Sequence, residues 1–173
     1  PSPISTTTPS DALQHTGLSE VVRRSTAMLR DAFDVEFSVL DAVSGELILA
    51  SPAQPQRDWS TRAELCREVA RRGQPEFIDE EDPLLALAIP LRWSETEAIV
   101  AVAVFLSRPL QPDEDLAGAA RSLSMRPSEI ARWAQGQKPW APQMLFKMAD
   151  MMAERMASDR RVGELLREAH SLS

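Results

Sequence analysis

Apolar positions change their spacing twice along the chain. Leu18, Val21, Val22, Leu29, Ala32 and Phe33, with Ser25 between them, fall on one stripe at helical period, which predicts a helix ending near Phe33. The period then drops to two. Val35, Phe37 and Val39 alternate with Glu36 and Ser38, the turn residues of 41–45 follow, and with the segment 46–50 after them this reads as a β-hairpin. A Pro- and Gln-rich connection at 51–58 leads to Thr61-Arg62-Ala63-Glu64, which has the spacing of a capping box. Leu65, Cys66, Val69 and Ala70 then form the apolar face of a helix stopped by Gly73.

A short strand is expected at 76–79, followed by the acidic turn Glu80-Glu81-Asp82-Pro83. Two long apolar segments come next, 84–91 and 98–106, separated by Arg92-Trp93-Ser94-Glu95-Thr96-Glu97. The second is apolar at every position and rich in Val, so it reads as a central strand covered on both faces. Pro90 cannot donate to a ladder and points to a bulge or a sheet edge. From Asp113 onward the pattern is helical, interrupted at 125–127 and at 136–142. The expected fold is α+β: a central antiparallel β-sheet of about five strands flanked by N- and C-terminal helices, with a short helical insertion before a long C-terminal helix.

The last helix carries a second pattern. Met144, Met148, Met151, Arg155, Ser158, Val162, Leu165, Ala169 and Leu172 follow alternating four- and three-residue steps, a heptad seam interrupted by two polar residues. Such a stripe predicts pairing with a second copy, so a homodimer is expected through Leu18, Val22 and Leu29 of the first helix and Met144, Met148, Met151, Val162 and Leu165 of the last. The seam still runs at the final residues, which reads as an extension (157–173) towards a downstream domain. At the other end, three Pro, three Ser and three Thr in 1–10 predict a disordered tail over 1–12.

Composition narrows the function. Acidic residues outnumber basic ones 26 to 19, for a net charge of −7, so the overall field repels phosphate backbones, and nucleic acid is not an expected partner. The stretch 121–140 superficially resembles the helices of a helix-turn-helix, with Arg126, Arg132 and Lys138 as phosphate contacts, but its acidic surroundings and the breaks at Gly136 and Pro139 oppose that use. The longest apolar run, 98–106, is far short of the roughly 20 residues a membrane helix needs. The sequence shows neither a membrane span nor a secretory signal pattern.

Candidate chemistry is sparse. The only cysteine, Cys66, sits on an amphipathic helix and reads as a small core residue. His15 and His170 lie in opposite terminal segments, so no His/Cys set for haem or metal is apparent. Asp79-Glu80-Glu81-Asp82 could offer oxygens to a hard cation, but it lacks the glycine-punctuated spacing of a calcium loop and reads as a solvated connection. Neither a nucleophile elbow, nor a phosphate loop, nor a zinc-protease motif occurs, so neither a catalytic role nor a cofactor is expected. Trp59, Arg62, Phe77 and Trp93, on connections and a short strand around the sheet, are the candidate ligand-binding residues, with Arg62 placed to meet an anionic group.

The run Leu87-Ala88-Ile89-Pro90-Leu91, the apolar strand starting Ala98-Ile99-Val100-Ala101-Val102-Ala103-Val104, and the lead Leu110-Gln111-Pro112-Asp113-Glu114-Asp115-Leu116 together resemble the latter half of a GAF domain. The upstream element order is similar to that family too, which places a GAF-like domain at 13–156; PAS is the nearest alternative sensor fold. The resemblance implies a cytoplasmic sensory and dimerisation module of a bacterial signalling protein. It further implies that an unidentified small ligand is held between the sheet and its covering loops, and that the terminal helices drive an output domain. A ligand-free scaffold for protein–protein interaction is the alternative reading.

Overall fold

The computed structural model describes residues 9–56 and 58–172. In chain order the elements are α1 (Pro9–Phe33), β1 (Ser38–Asp41), β2 (Leu47–Leu49), a 3-10 turn (Ser60–Arg62), α2 (Ala63–Arg72), β3 (Glu76–Glu81), β4 (Leu84–Trp93), β5 (Ala98–Leu106), α3 (Ala117–Leu123), α4 (Pro127–Gln135) and α5 (Pro142–Ser171). The five strands form one sheet in the order β2-β1-β5-β4-β3, antiparallel throughout. The fold class read from the sequence is therefore present: α+β, a five-stranded antiparallel sheet, and a long C-terminal helix.

Strand geometry sends successive side chains to opposite faces, and here both faces are buried. Val100, Val102, Val104 and Leu106 of β5, with Leu84, Ala86 and Ala88 of β4, point to one side. They meet Cys66, Val69 and Ala70 of α2, then Ala119, Ala120 and Leu123 of α3 and Ile130 and Ala134 of α4. On the opposite side Ile99, Ala101, Ala103 and Phe105, with Leu85, Leu87 and Ile89, meet α1 through Val22, Leu29 and Phe33, and α5 through Leu145, Ala149, Met152 and Met156. All nine residues of β5 are buried, as its unbroken apolar run predicts. The ladder register between β4 and β5 shifts between Pro90 and Arg92, which is the bulge anticipated at Pro90.

Local chemistry fixes the connections. In the β1–β2 turn the Asp41 carboxylate accepts from the Val43 and Ser44 N–H groups, and Gly45 takes φ 79°. Gly73 ends α2 in the left-handed conformation, its N–H donating to the Val69 carbonyl. Glu114, in the acidic lead to α3, accepts from the Gln111 N–H and from Arg108, which also pairs with Asp82 in the β3–β4 turn. Phe33, Phe37, Phe105 and Trp140 form a cluster of tilted rings, with centroids 5.4–6.3 Å apart, that closes one end of the α1/α5 side.

Several expectations need correction. The first helix begins at Pro9, so residues 9–12 are helical instead of tail; a proline fits the first helical turn because its missing N–H would be unpaired there. Residues 1–8 of that tail lie outside the described residues. The capping box at Thr61 does not form: α2 has no side-chain cap, because a 3-10 turn precedes it, and Asp58 takes the Ser60 N–H at 3.0 Å and the Ser60 hydroxyl at 2.6 Å instead. Leu65 lies on the flank of α2, half exposed, because the helix rests on Cys66, Val69 and Ala70. The expected short strand at 76–79 runs on to Glu81, so only Asp82 and Pro83 of the acidic run form the turn.

Candidate functional site

The α2 side of the sheet carries an unusual polar layer, and it starts from a gap in the ladder. β1 pairs with β5 only from Ile99 to Val102, so the Val104 N–H has no strand partner on that side. The connection 51–59 supplies one: the Gln54 Oε1 accepts this N–H at 2.6 Å. The Ser51 N–H donates to the Ser38 hydroxyl at 3.0 Å, so the connection is moored to the sheet at two points. Between these moorings and α2 the chain buries Gln54, Gln56 and Trp59 almost completely.

Burial on this scale normally satisfies every polar atom, since an unpaired buried donor or acceptor costs roughly 1–3 kcal/mol. Here the Gln56 Oε1, the Trp59 Nε1, the Arg62 Nε and the Trp133 Nε1 are buried with no partner among the described residues. Gln56, Trp59 and Arg62 follow one another on the same connection, and Trp59 and Trp133 pack into the same cluster under α2 and α4. The set combines one acceptor with three donors, chemistry suited to a small polar guest.

Below it, Arg62 is held by a clasp. Its Nη2 donates to the Asp79 carboxylate at 2.5 Å, to the Ser122 carbonyl at 2.8 Å and to the Ser122 hydroxyl at 2.9 Å. The Ser122 hydroxyl donates in turn to the same Asp79 oxygen. The clasp joins the start of α2, β3 and the end of α3. Asp79 reaches it because β3 is irregular between Phe77 and Asp79, which shifts the register there. The acidic run is thereby dispersed: Asp79 is held by Arg62 and Asp82 by Arg108. Among the described residues no group of three or more His, Cys, Asp or Glu is arranged to hold a metal ion.

Of the four ligand-binding candidates, Trp59 and Arg62 share the 3-10 turn before α2, the Arg62 N–H donating to the Trp59 carbonyl at 2.9 Å. Phe77 is not with them: it packs on the opposite side, its ring 5.9 Å from that of Phe146 in α5. Trp93 is partly exposed at the far end of β4. A groove of about 720 Å³ between α1 and the β2 edge, lined by Arg30, Glu36 and Ser51 among others, contains none of the four. Gln54, Gln56 and Ser122 are missing from the sequence reading. The Gln-rich character of 51–58 is the one visible trace of Gln54 and Gln56, and no sequence signal marks Ser122.

The predicted dimer residues divide. Val22 and Leu29 are buried within the protomer, against the sheet, because α1 turns this stripe to the core; neither is free to meet a second copy. Leu18 and Met148 are half-buried at the margin of that cluster. Met144, Met151, Val162 and Leu165 are all more than half exposed, on the side of α5 turned away from Leu145, Ala149, Met152 and Met156.

Cys66 is fully buried, and burial pushes its thiol up to about 12, with Arg62 pulling weakly the other way. A thiol so placed is inert as a nucleophile or attachment point. Its folded value lies above the ordinary 9.0, so stability is intact below pH 9 and falls as pH climbs towards 12. The expected slope from this group is about 1.4 kcal/mol per pH unit in that window. Urea unfolding of wild type and Cys66→Ala between pH 8 and pH 11 checks it; equal slopes would refute it.

A scan against protein-family models and searches of the curated proteins and of the solved structures returned no match for this chain. Among the described residues, no helix is long and apolar enough to cross a membrane.

Proposed function

We propose that the chain is a non-catalytic, GAF-like sensory and dimerisation module of a bacterial cytoplasmic signalling protein. In this reading it binds a small polar ligand between the α2 side of the sheet and the connection 51–59, and relays its state through α5. The observation that carries the reading is the set of unpartnered buried atoms on Gln56, Trp59 and Arg62, because a guest offering a donor and acceptors would remove their desolvation cost. The terminal helices α1 and α5 pack together on the other side of the same sheet, so a change in strand position on one side is felt by the outgoing helix on the other.

The exposed apolar residues of α5 support the dimerisation half of the proposal. They also favour a second reading, a ligand-free scaffold that binds another protein through Met144, Met151, Val162 and Leu165. One experiment separates the two. Thermal unfolding is followed with a panel of nucleotides, amino acids and organic acids, for wild type, Gln56→Leu and Leu165→Glu, each also weighed by light scattering. Sensing predicts a saturable rise in melting temperature for at least one compound, lost in Gln56→Leu, and a wild-type dimer that Leu165→Glu makes monomeric. No shift across the panel, with Gln56→Leu more stable than wild type, would leave the scaffold.

A further inference from the structure

A second concavity, of about 410 Å³, lies where the end of α2, the bulged end of β4 and the second half of α5 meet. Its walls carry three arginines, Arg92, Arg160 and Arg161, against one carboxylate, Glu164. That is a local excess of positive charge on a chain whose net charge is −7. Trp93 and small residues, including Gly73 and Ala157, complete its lining. We propose that this groove is a binding site for a small organic oxyanion, a carboxylate or phosphate ester with an apolar body, which staples α5 to β4.

Three features point to an anion. The Arg160 side chain is partly buried, and its one hydrogen-bond acceptor among the described residues is neutral, the Leu91 carbonyl at the β4 bulge. Burial holds its guanidinium below the ordinary arginine value, and the charge of Arg92 adds to that effect while Glu164 opposes it. Among the described residues Arg161 has no ion-pair partner, whereas neighbouring Arg71 and Arg72 of α2 are paired with Glu68 and Glu76. Arg92 is paired with Glu97 across the hairpin at 3.0 Å, which orients its side chain beside the groove. An oxyanion between Arg92 and the two α5 arginines would replace like-charge repulsion with charge-assisted hydrogen bonds, and Trp93 offers a face for its apolar body.

Position gives the site its consequence. Met156 is the last buried residue of α5, and Arg160 makes the helix's next inward hydrogen bond; beyond it Val162, Leu165 and Leu166 are exposed. An anion bridging β4 and Arg160–Arg161 therefore acts at the point where α5 leaves the domain. The site does not depend on the proposed ligand of the α2 side.

The test titrates inorganic phosphate and benzoate against sodium chloride at matched ionic strength, with wild type, Arg92→Gln and Arg161→Gln, following melting temperature and amide exchange over 157–164. Arg161 is exposed, so its variant keeps the fold and the unliganded melting temperature. A saturable rise of about 5 °C with either probe well above its Kd is expected, weakened at least roughly tenfold in affinity by each substitution, with slower exchange in 157–164. A response to phosphate alone assigns a phosphate ester, and one to benzoate alone a carboxylate. A rise no larger than with chloride, or equal in all three proteins, overturns the site; a specific rise without slower exchange overturns the staple.

Discussion

Asp79→Ala is expected to destabilise the domain by about 3 kcal/mol and to lower its melting temperature by about 10 °C, although the position is a strand residue in an acidic run. The reason is the company Asp79 keeps. Its carboxylate takes both the Arg62 guanidinium and the Ser122 hydroxyl, in a site where the two charged side chains are only 16–17% exposed. Removing it leaves a guanidinium largely out of water with neutral oxygens as its remaining acceptors. A surface ion pair would contribute at most about 1 kcal/mol, so the size of the loss distinguishes the two situations. The double variant Arg62→Met/Asp79→Leu should be less damaged than the sum of its single variants, because it abolishes the uncompensated charge. Urea and thermal unfolding measure both, and a loss below about 1 kcal/mol in Asp79→Ala would show that the clasp contributes no more than a surface pair.

The second large effect contrasts two neighbours in α5. Leu145 is completely buried against the sheet and Met144 is 59% exposed. Leu145→Ala should cost about 3 kcal/mol through lost burial and the cavity left behind, whereas Met144→Ala should stay within about 0.5 kcal/mol in the monomer. The comparison reads the rotation of α5 directly. A reversed order would mean that the Met144, Met151 and Leu165 stripe faces the sheet and that the exposed seam does not exist. Measuring both variants at low and high protein concentration adds the oligomer: a Met144→Ala loss that grows with concentration locates the dimer on that stripe.

Local pattern made some features legible in advance and left others hidden. The limits of β5, the bulge after Pro90, the helix stop at Gly73 and the breaks between the last three helices follow from residues within a few positions of each feature. Period, proline and glycine act over that range. The Arg62 clasp spans 17 and 60 residues of sequence, and no short-range rule pairs Arg62 with Asp79 or Ser122. Phe77 shows a different limit. Alternation along β3 cannot reveal which residue the irregularity displaces, so Phe77 and Asp79 end on opposite sides although they are two apart. The apolar stripe of α1 was visible, but a stripe does not say whether it meets a sheet of its own chain or a second copy; Val22 and Leu29 meet the sheet.

Gln54 stands in for a strand residue opposite Val104, while Ser51 is tied to Ser38. The spacing between these two ties behaves as a ruler. Adding or deleting one residue between 51 and 54 would move Gln54 out of reach of its amide and turn a neighbouring side chain towards the sheet, whereas an insertion at the β1–β2 turn would only lengthen a solvent-facing corner. Length tolerance should therefore differ sharply between two loops of similar polarity, and the rigid one is the loop that roofs the polar layer.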